Sequence, residues 1–409
     1  ILKVAFCAGL MTFFTKSRFK EIANVWHVVF VIIYATSGFA IQYYTSIYYL
    51  DIVILFPLII YALEELFDND KKIGFVITMA IGFILSLYLM YMVCFFLLLF
   101  SFVRVREMPL EKRQIKVAQL GLSVLIAGCL SAFVSVPSTI QLLSSQRATV
   151  AQNLSEISIL SAYLDMFFGN KLFMLYGVEL PLAYIIIKIL LDRETVKSNL
   201  GYLLLGVMLV IPIKFEYINL AWHPGGYVQF PMRYGYMITF WFVYLMARIL
   251  ASSAEIEWKS SRTQKVMYYL RLLTYAAVPF VAFVIFNYFQ LFREYGTRDT
   301  SAFTTYKSTL LIICGVYILM LATVKGKAMQ YLCIVLLLVQ FVAGWNGIVA
   351  PDNMTLPECT DSIIVNSEKI NKVREYTDQD RVSRIKDISN SLNAKSCYIK
   401  LDIWIKAGS

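Results

Sequence analysis

Charge and histidine are scarce in this chain. Charged residues make up 16% of its 409 residues, and the only histidines are His27 and His223. A soluble globular domain carries about 25% charged residues, so the composition excludes that class. The seven cysteines include no CxxC pair, and no His-rich spacing accompanies them, so no motif names a metal. A Walker loop and a strand-borne GxGxxG are also missing, which removes the motif support for an ATPase or a dinucleotide enzyme. No cofactor is indicated, and a divalent metal stays open. Internal repeats are not evident, which speaks against a transporter built from two related halves.

What the chain has is apolar sequence, 59% of its residues. It is divided into about twelve runs, of which Ala276–Phe289 and Leu332–Val349 hold no charge. A membrane span needs roughly 20 mostly apolar residues. The expectation is an all-α polytopic membrane protein of about 12 transmembrane helices over residues 1–350. Residues 351–409 would begin an extracytoplasmic soluble domain. Spans are expected at 1–15, 22–40, 47–65, 117–137, 173–191, 199–213, 233–250, 272–290, 308–324 and 329–350. A further pair between Lys72 and Arg104 would break near Leu87–Tyr88. The short 199–213 span and the Asp51-bearing 47–65 span are the two that could instead be re-entrant.

Basic residues stay on the cytoplasmic side of a membrane. Lys16–Lys20, Lys71–Lys72, Arg104–Lys116, Arg193–Lys197, Arg248–Arg271 and Lys325–Lys327 fall in alternate connections and are assigned there. With neighbouring acids, these connections hold nineteen basic and eleven acidic residues, whereas the other loops and the tail are balanced. The net +10 is therefore a topology signal, and no nucleic-acid partner is expected. The bilayer is the first partner. The chain starts at Ile1 within an apolar run and ends at Ser409 within the tail, so a piece of a longer protein is expected. Cys359 and Cys397 in the tail are either a disulfide or two free thiols.

The outward loops carry the chemistry. Lys214–Arg233 reads KFEYINLAWHPGGYVQFPMR, with a Pro-Gly-Gly reversal flanked by Trp222, His223 and Tyr227. Arg233 opens the next helix and could grip a lipid-linked phosphate bidentately, aided by Lys214, or snorkel to headgroups. His223 is a candidate proton carrier or a hydrogen-bonding loop residue. The tyrosines of IQYYTSIYYLD, Tyr43 and Tyr44 among them, could stack on sugars, although an interfacial aromatic belt is the expected role. Asp51, inside a span end, is a site candidate or a helix lock. Tyr88 and Tyr91 at the helix break either line the same cavity or pack there. The loop at about 138–172 contains an apolar stretch too short to cross, which suits a surface or re-entrant helix.

Several segments resemble one family. SGFAIQYYTSIYYLDIVILFPLIIYALEELF is similar to the YfhO family of bacterial membrane proteins, with its Ser-Gly, Leu-Asp and Pro-Leu-Ile alternation. SLYLMYMVCFFLLLF, NKLFMLYGVELPL, HPGGYVQFPMRYGYM and the tail's RVSRIKD resemble it in the same order, covering most of residues 1–390. The resemblance implies a GT-C-like glycosyltransferase fold in the cytoplasmic membrane of a Gram-positive bacterium, with the C-terminal tail outside. It implies a polyprenyl-phosphate sugar donor and an envelope polymer acceptor such as lipoteichoic acid. The catalytic acid of such enzymes lies in the first outer loop, which here would be upstream of Ile1. Asp51 and His223 would then support catalysis, with Arg233, Lys214, Trp222, Tyr227, Tyr43, Tyr44 and Tyr88 binding substrate. The alternative expectation is a transporter or flippase for a lipid-linked sugar or another envelope precursor.

Overall fold

The computed structural model describes residues 2–43, 47–144, 177–191, 193–213, 215–223, 233–252, 316–317 and 327–348. Two compact units, Ile1–Gly344 and Trp345–Ser409, make up the chain. Of the second, only 345–348 is described, as the end of a helix. The expected spans at 272–290 and most of 308–324, the loop from 145 to 176, and both tail cysteines lie outside the described residues.

Among the described residues every regular element is helical. In chain order these are α1 (Leu2–Arg18), α2 (Asn24–Ala35), α3 (Gly38–Gln42), α4 (Ile47–Asn69), α5 (Lys72–Leu85), α6 (Leu87–Arg106), α7 (Leu110–Leu130) and α8 (Ala132–Ser144). They continue with α9 (Glu179–Leu191), α10 (Arg193–Val210), α11 (Glu216–Ala221), α12 (Gly235–Ser252) and α13 (Lys327–Ile348). Among the described residues, three helices are long and apolar enough to cross a membrane: α6, α7 and α12. The helix α4 is a continuous 23 residues and α10 is 18, ending at Val210, and neither of these two doubtful spans is among the three.

The surfaces of these helices invert the pattern of a water-soluble protein. On α5, Ile73, Ile77, Ile81, Ile84 and Leu85 recur at helical spacing and are all exposed. On α10 the exposed stripe is Leu200, Leu204, Val207 and Met208, opposite buried Tyr202, Leu205 and Leu209. Exposed apolar stripes on separate helices suit hydrocarbon as the surrounding solvent. The helix α12 lies inside, with every residue from Gly235 to Ala247 buried. Around it stand α2, α3, α9 and α10. The helix α10 comes close because Gly206 faces the Trp241 ring, where a Cβ would sit 2.0 Å from the ring. Small residues allow such approach in membrane helices, where no hydrophobic force drives association.

Two helix irregularities have local causes. Pro57 inside α4 has no N–H for the Val53 carbonyl, and the Tyr34 hydroxyl donates to that carbonyl at 2.8 Å. Between α5 and α6 the reversal falls at Ser86, one residue before the expected Leu87–Tyr88 break. Its N–H closes α5 on the Gly82 carbonyl at 3.0 Å, and its Oγ accepts the Leu89 N–H at 3.3 Å to open α6. One serine thus ends one helix and starts the next.

The helix ends sort into two groups. Arg18, Asp68, Arg104, Glu107, Asn199 and Arg248, from α1, α4, α6, the α6–α7 connection, α10 and α12, gather at one end. Arg18 binds Glu64 and Asp68, each at 2.8 Å. Arg104 binds Asp68 at 2.6 Å and Glu107 at 3.2 Å. Arg248 bonds Glu107 at 2.5 Å and donates from Nε to Asn199 Oδ1 at 3.0 Å. Glu64 is buried and also accepts the Tyr244 hydroxyl at 2.7 Å. Lys116, itself buried, reaches the Leu66 carbonyl at the end of α4 and Asp70 at 2.8 Å. Asp70 is the one residue other than glycine with positive φ, at 59°, among the described residues. Hydrogen bonding to Lys116 holds its carboxyl below the usual range. This gathering agrees with the expected placement of four basic connections on one side.

Candidate functional site

The other end brings together the first turns of α4, α6 and α12. Tyr49 stands in the first turn of α4, Tyr88 in that of α6, and Arg233 just before α12. The Arg233 guanidinium carbon lies 4.9 Å from the Tyr88 ring centre and 5.7 Å from that of Tyr49. Both distances are within cation–π range, about 6 Å. Aromatic faces stabilise a cation without cancelling its charge.

Tyr88 has a second role. Its hydroxyl is 2.7 Å from His223 Nδ1, linking α6 to the segment that follows α11. When the hydroxyl donates, the imidazole keeps its proton on Nε2. Tyr91, one turn along α6, donates to the Ala221 carbonyl at 3.0 Å and fastens the same segment. Trp222 is fully buried, stacked on Tyr234 at 4.4 Å and edge-on to Phe95 at 4.7 Å. It anchors the loop and presents no surface for a sugar, so its expected substrate contact gives way to packing.

The tyrosine patch also turns inward. Tyr43 and Tyr49 are buried with ring centres 4.8 Å apart, and Tyr43 lies 4.5 Å from Phe39. Of the described patch tyrosines only Tyr48 is exposed. An interfacial belt would face outward, so the expected belt gives way to a packed aromatic floor beside Arg233. Asp51, one turn into α4, forms an ion pair with Lys3 of α1 at 2.5 Å. Both groups are about a third exposed, at 35% and 31%. That is the helix-lock arrangement, placed at the same end as Arg233. Tyr44, Lys214 and Tyr227 lie outside the described residues.

The sequence reading overlooked two clusters. One is the ionic network around Glu64, which had registered only as topology charge. The other joins α9 to α13. Buried Glu179 accepts the Gly177 N–H at 2.9 Å and the Gln340 amide at 2.5 Å, while Gln340 accepts the Tyr317 hydroxyl at 3.1 Å. A buried glutamate and a glutamine 161 positions away carry no local signal of pairing. Among the described residues no three His, Cys, Asp or Glu side chains group as a metal site.

The apolar helices, the exposed apolar stripes and this polar end accord with a match over nearly the whole chain. Residues 1–396 match the model of the family described as bacterial membrane protein YfhO. The chain belongs to the YfhO family. It is accordingly a membrane protein, as its apolar helices and its family agree. No curated protein and no solved structure matches this YfhO-family chain.

Proposed function

We propose that this chain is a membrane glycosyltransferase of GT-C-like architecture. It moves a sugar from a polyprenyl-phosphate donor to a cell-envelope polymer, lipoteichoic acid or a similar one, at the outer face of a bacterial cytoplasmic membrane. The observation that carries this reading is Arg233, seated on the Tyr88 and Tyr49 rings at the end opposite the basic connections. The basic-residue rule makes that end extracytoplasmic, where lipid donor and polymer acceptor meet.

Departure of a lipid phosphate develops negative charge, and a fixed guanidinium stabilises it where it forms. Arg233 takes that role, with Lys214 as a second cation. His223, oriented through Nδ1 by Tyr88, holds a proton at Nε2 and positions a substrate hydroxyl. Asp51 and its partner Lys3 fix the ends of α1 and α4 beside the site. Tyr44 and Tyr227 border the sugar, Tyr43 packs beneath them, and the acid that activates the acceptor hydroxyl is contributed from outside this set.

The test uses purified protein in proteoliposomes with a radiolabelled polyprenyl-phosphate sugar and the envelope polymer. Label transferred to polymer, and reduced at least 100-fold by Arg233→Ala, supports the proposal. Movement of the labelled lipid between leaflets with no label on polymer refutes it and makes the protein a lipid-linked sugar flippase.

A further inference from the structure

Two arginines close α6, and the helix turns them to opposite sides. Residues 104 and 106 are two positions apart, roughly 200° around an α-helix. Arg104 points inward, its side chain 11% exposed, and binds Asp68 at 2.6 Å and Glu107 at 3.2 Å. Arg106 is exposed, and its guanidinium carbon lies 4.6 Å from the centre of the Phe102 ring. Among the described residues no carboxylate pairs with Arg106 and no acceptor takes its N–H groups. The adjacent Glu107 is already bound by both Arg104 and Arg248.

The ring under Arg106 belongs to the apolar outer surface. Phe102 is 61% exposed, and Leu98, one turn earlier, is 63% exposed. Since α6 is long and apolar enough to cross a membrane, this stripe suits contact with hydrocarbon. Arginines at span ends commonly extend their stems toward water. Arg106 rests on a ring one turn back along the helix, where the apolar stripe meets the polar end. A ring face holds a cation without neutralising it. Arg113 adds a second fixed charge. Its Nε donates to the Met108 carbonyl at 2.9 Å and its Nη2 to the Arg106 carbonyl at 2.8 Å. Both acceptors are uncharged, so Arg113 is held against the backbone of residue 106 with its charge intact. Lys112 is exposed beside it, and the exposed Glu111 is the one acid of this connection not already bound to an arginine.

A ligand that satisfies these surfaces carries a negative phosphate joined directly to hydrocarbon. We propose that the inner end of α6 binds an anionic phospholipid, with the phosphodiester at Arg106 and Arg113 and an acyl chain along Phe102 and Leu98. Guanidinium groups match phosphate oxygens in geometry as well as charge. The basic-residue rule puts this end in the cytoplasmic leaflet, whose anionic lipids attract cations beside a span. The site is independent of the reading given to Arg233 at the opposite end.

The probe is phosphatidylglycerol with a diazirine near the carboxyl end of one acyl chain, added to the full chain in phosphatidylcholine nanodiscs. After irradiation, labelled peptides are mapped by mass spectrometry. Saturable labelling within 98–106, displaced by unlabelled phosphatidylglycerol and not by added phosphatidylcholine, supports the site. Arg106→Gln, normalised to folded protein, should weaken it roughly tenfold, the scale of one charge-assisted contact. Arg106→Lys keeps the charge and should retain most of the labelling. Equal displacement by phosphatidylcholine makes the stripe an ordinary lipid contact and overturns the proposal. Unchanged labelling of Arg106→Gln overturns it as well, as does saturable labelling confined to other helices. Displacement by inorganic phosphate as effective as that by phosphatidylglycerol makes this a site for free phosphate and overturns the lipid assignment.

Discussion

The two ends of the helical assembly solve the same problem, holding cations among helix termini, in opposite ways. At the Arg18 end, guanidinium groups are tied by carboxylates: Arg18 to Glu64 and Asp68, Arg104 to Asp68 and Glu107, Arg248 to Glu107. At the Arg233 end, a guanidinium rests on tyrosine rings, and a histidine is oriented by a tyrosine hydroxyl. Carboxylate pairing consumes a cation's charge and fixes helices. Ring stacking positions the cation without neutralising it. The first arrangement is a fastening, and the second is the one to which the proposed function assigns the donor phosphate.

That contrast can be broken from either side. The largest stability loss is expected from Arg18→Ala, which leaves buried Glu64 without its nearest cation. Truncating one member of a buried pair costs about 3–5 kcal/mol. Thermal unfolding in detergent should show the loss, while transfer per folded molecule stays near the parent value. Gly206→Val should follow, because its side chain must displace the Trp241 ring. Overpacking of this kind costs typically about 1–3 kcal/mol, and the same melting experiment reads it. Tyr88→Phe removes one hydrogen bond to His223, worth about 1 kcal/mol. Its distinguishing effect is on activity, since the imidazole loses its orienting partner, and transfer should fall severalfold with little change in melting.

The smallest effect concerns Asp70. Its carboxyl is held below the usual range by Lys116, so its contribution is present above the ordinary aspartate pKa, about 3.9. It is lost as pH falls through the lower folded value. Asp70→Asn should therefore lower melting slightly near neutrality, where the contribution is present, and the difference from the parent should vanish as pH falls through the lower folded value.

The sequence disclosed the class of the molecule and much of its order, for physical reasons. Apolar length and basic-residue alternation are one-dimensional signals, and the reversal expected at Leu87–Tyr88 appears one residue away at Ser86. Arg233 and His223 stood out because a charged and a titratable residue flank a Pro-Gly-Gly turn between apolar runs. What stayed hidden depends on distant pairing. Nothing local in Glu64 tells that Arg18 and Tyr244 meet it, and nothing in IQYYTSIYYLD tells that Tyr43 and Tyr49 face inward. The Asp51 alternatives, site or lock, likewise required knowing that Lys3 lies opposite.

The central claim is that one end fastens and the other binds. Arg233→Ala and Arg18→Ala should be compared in one proteoliposome transfer assay, each normalised to folded protein, with Arg233→Lys beside them. The account predicts near-complete loss for Arg233→Ala with unaltered melting, partial activity for Arg233→Lys, and lowered melting with retained specific activity for Arg18→Ala. Full transfer by folded Arg233→Ala would contradict it.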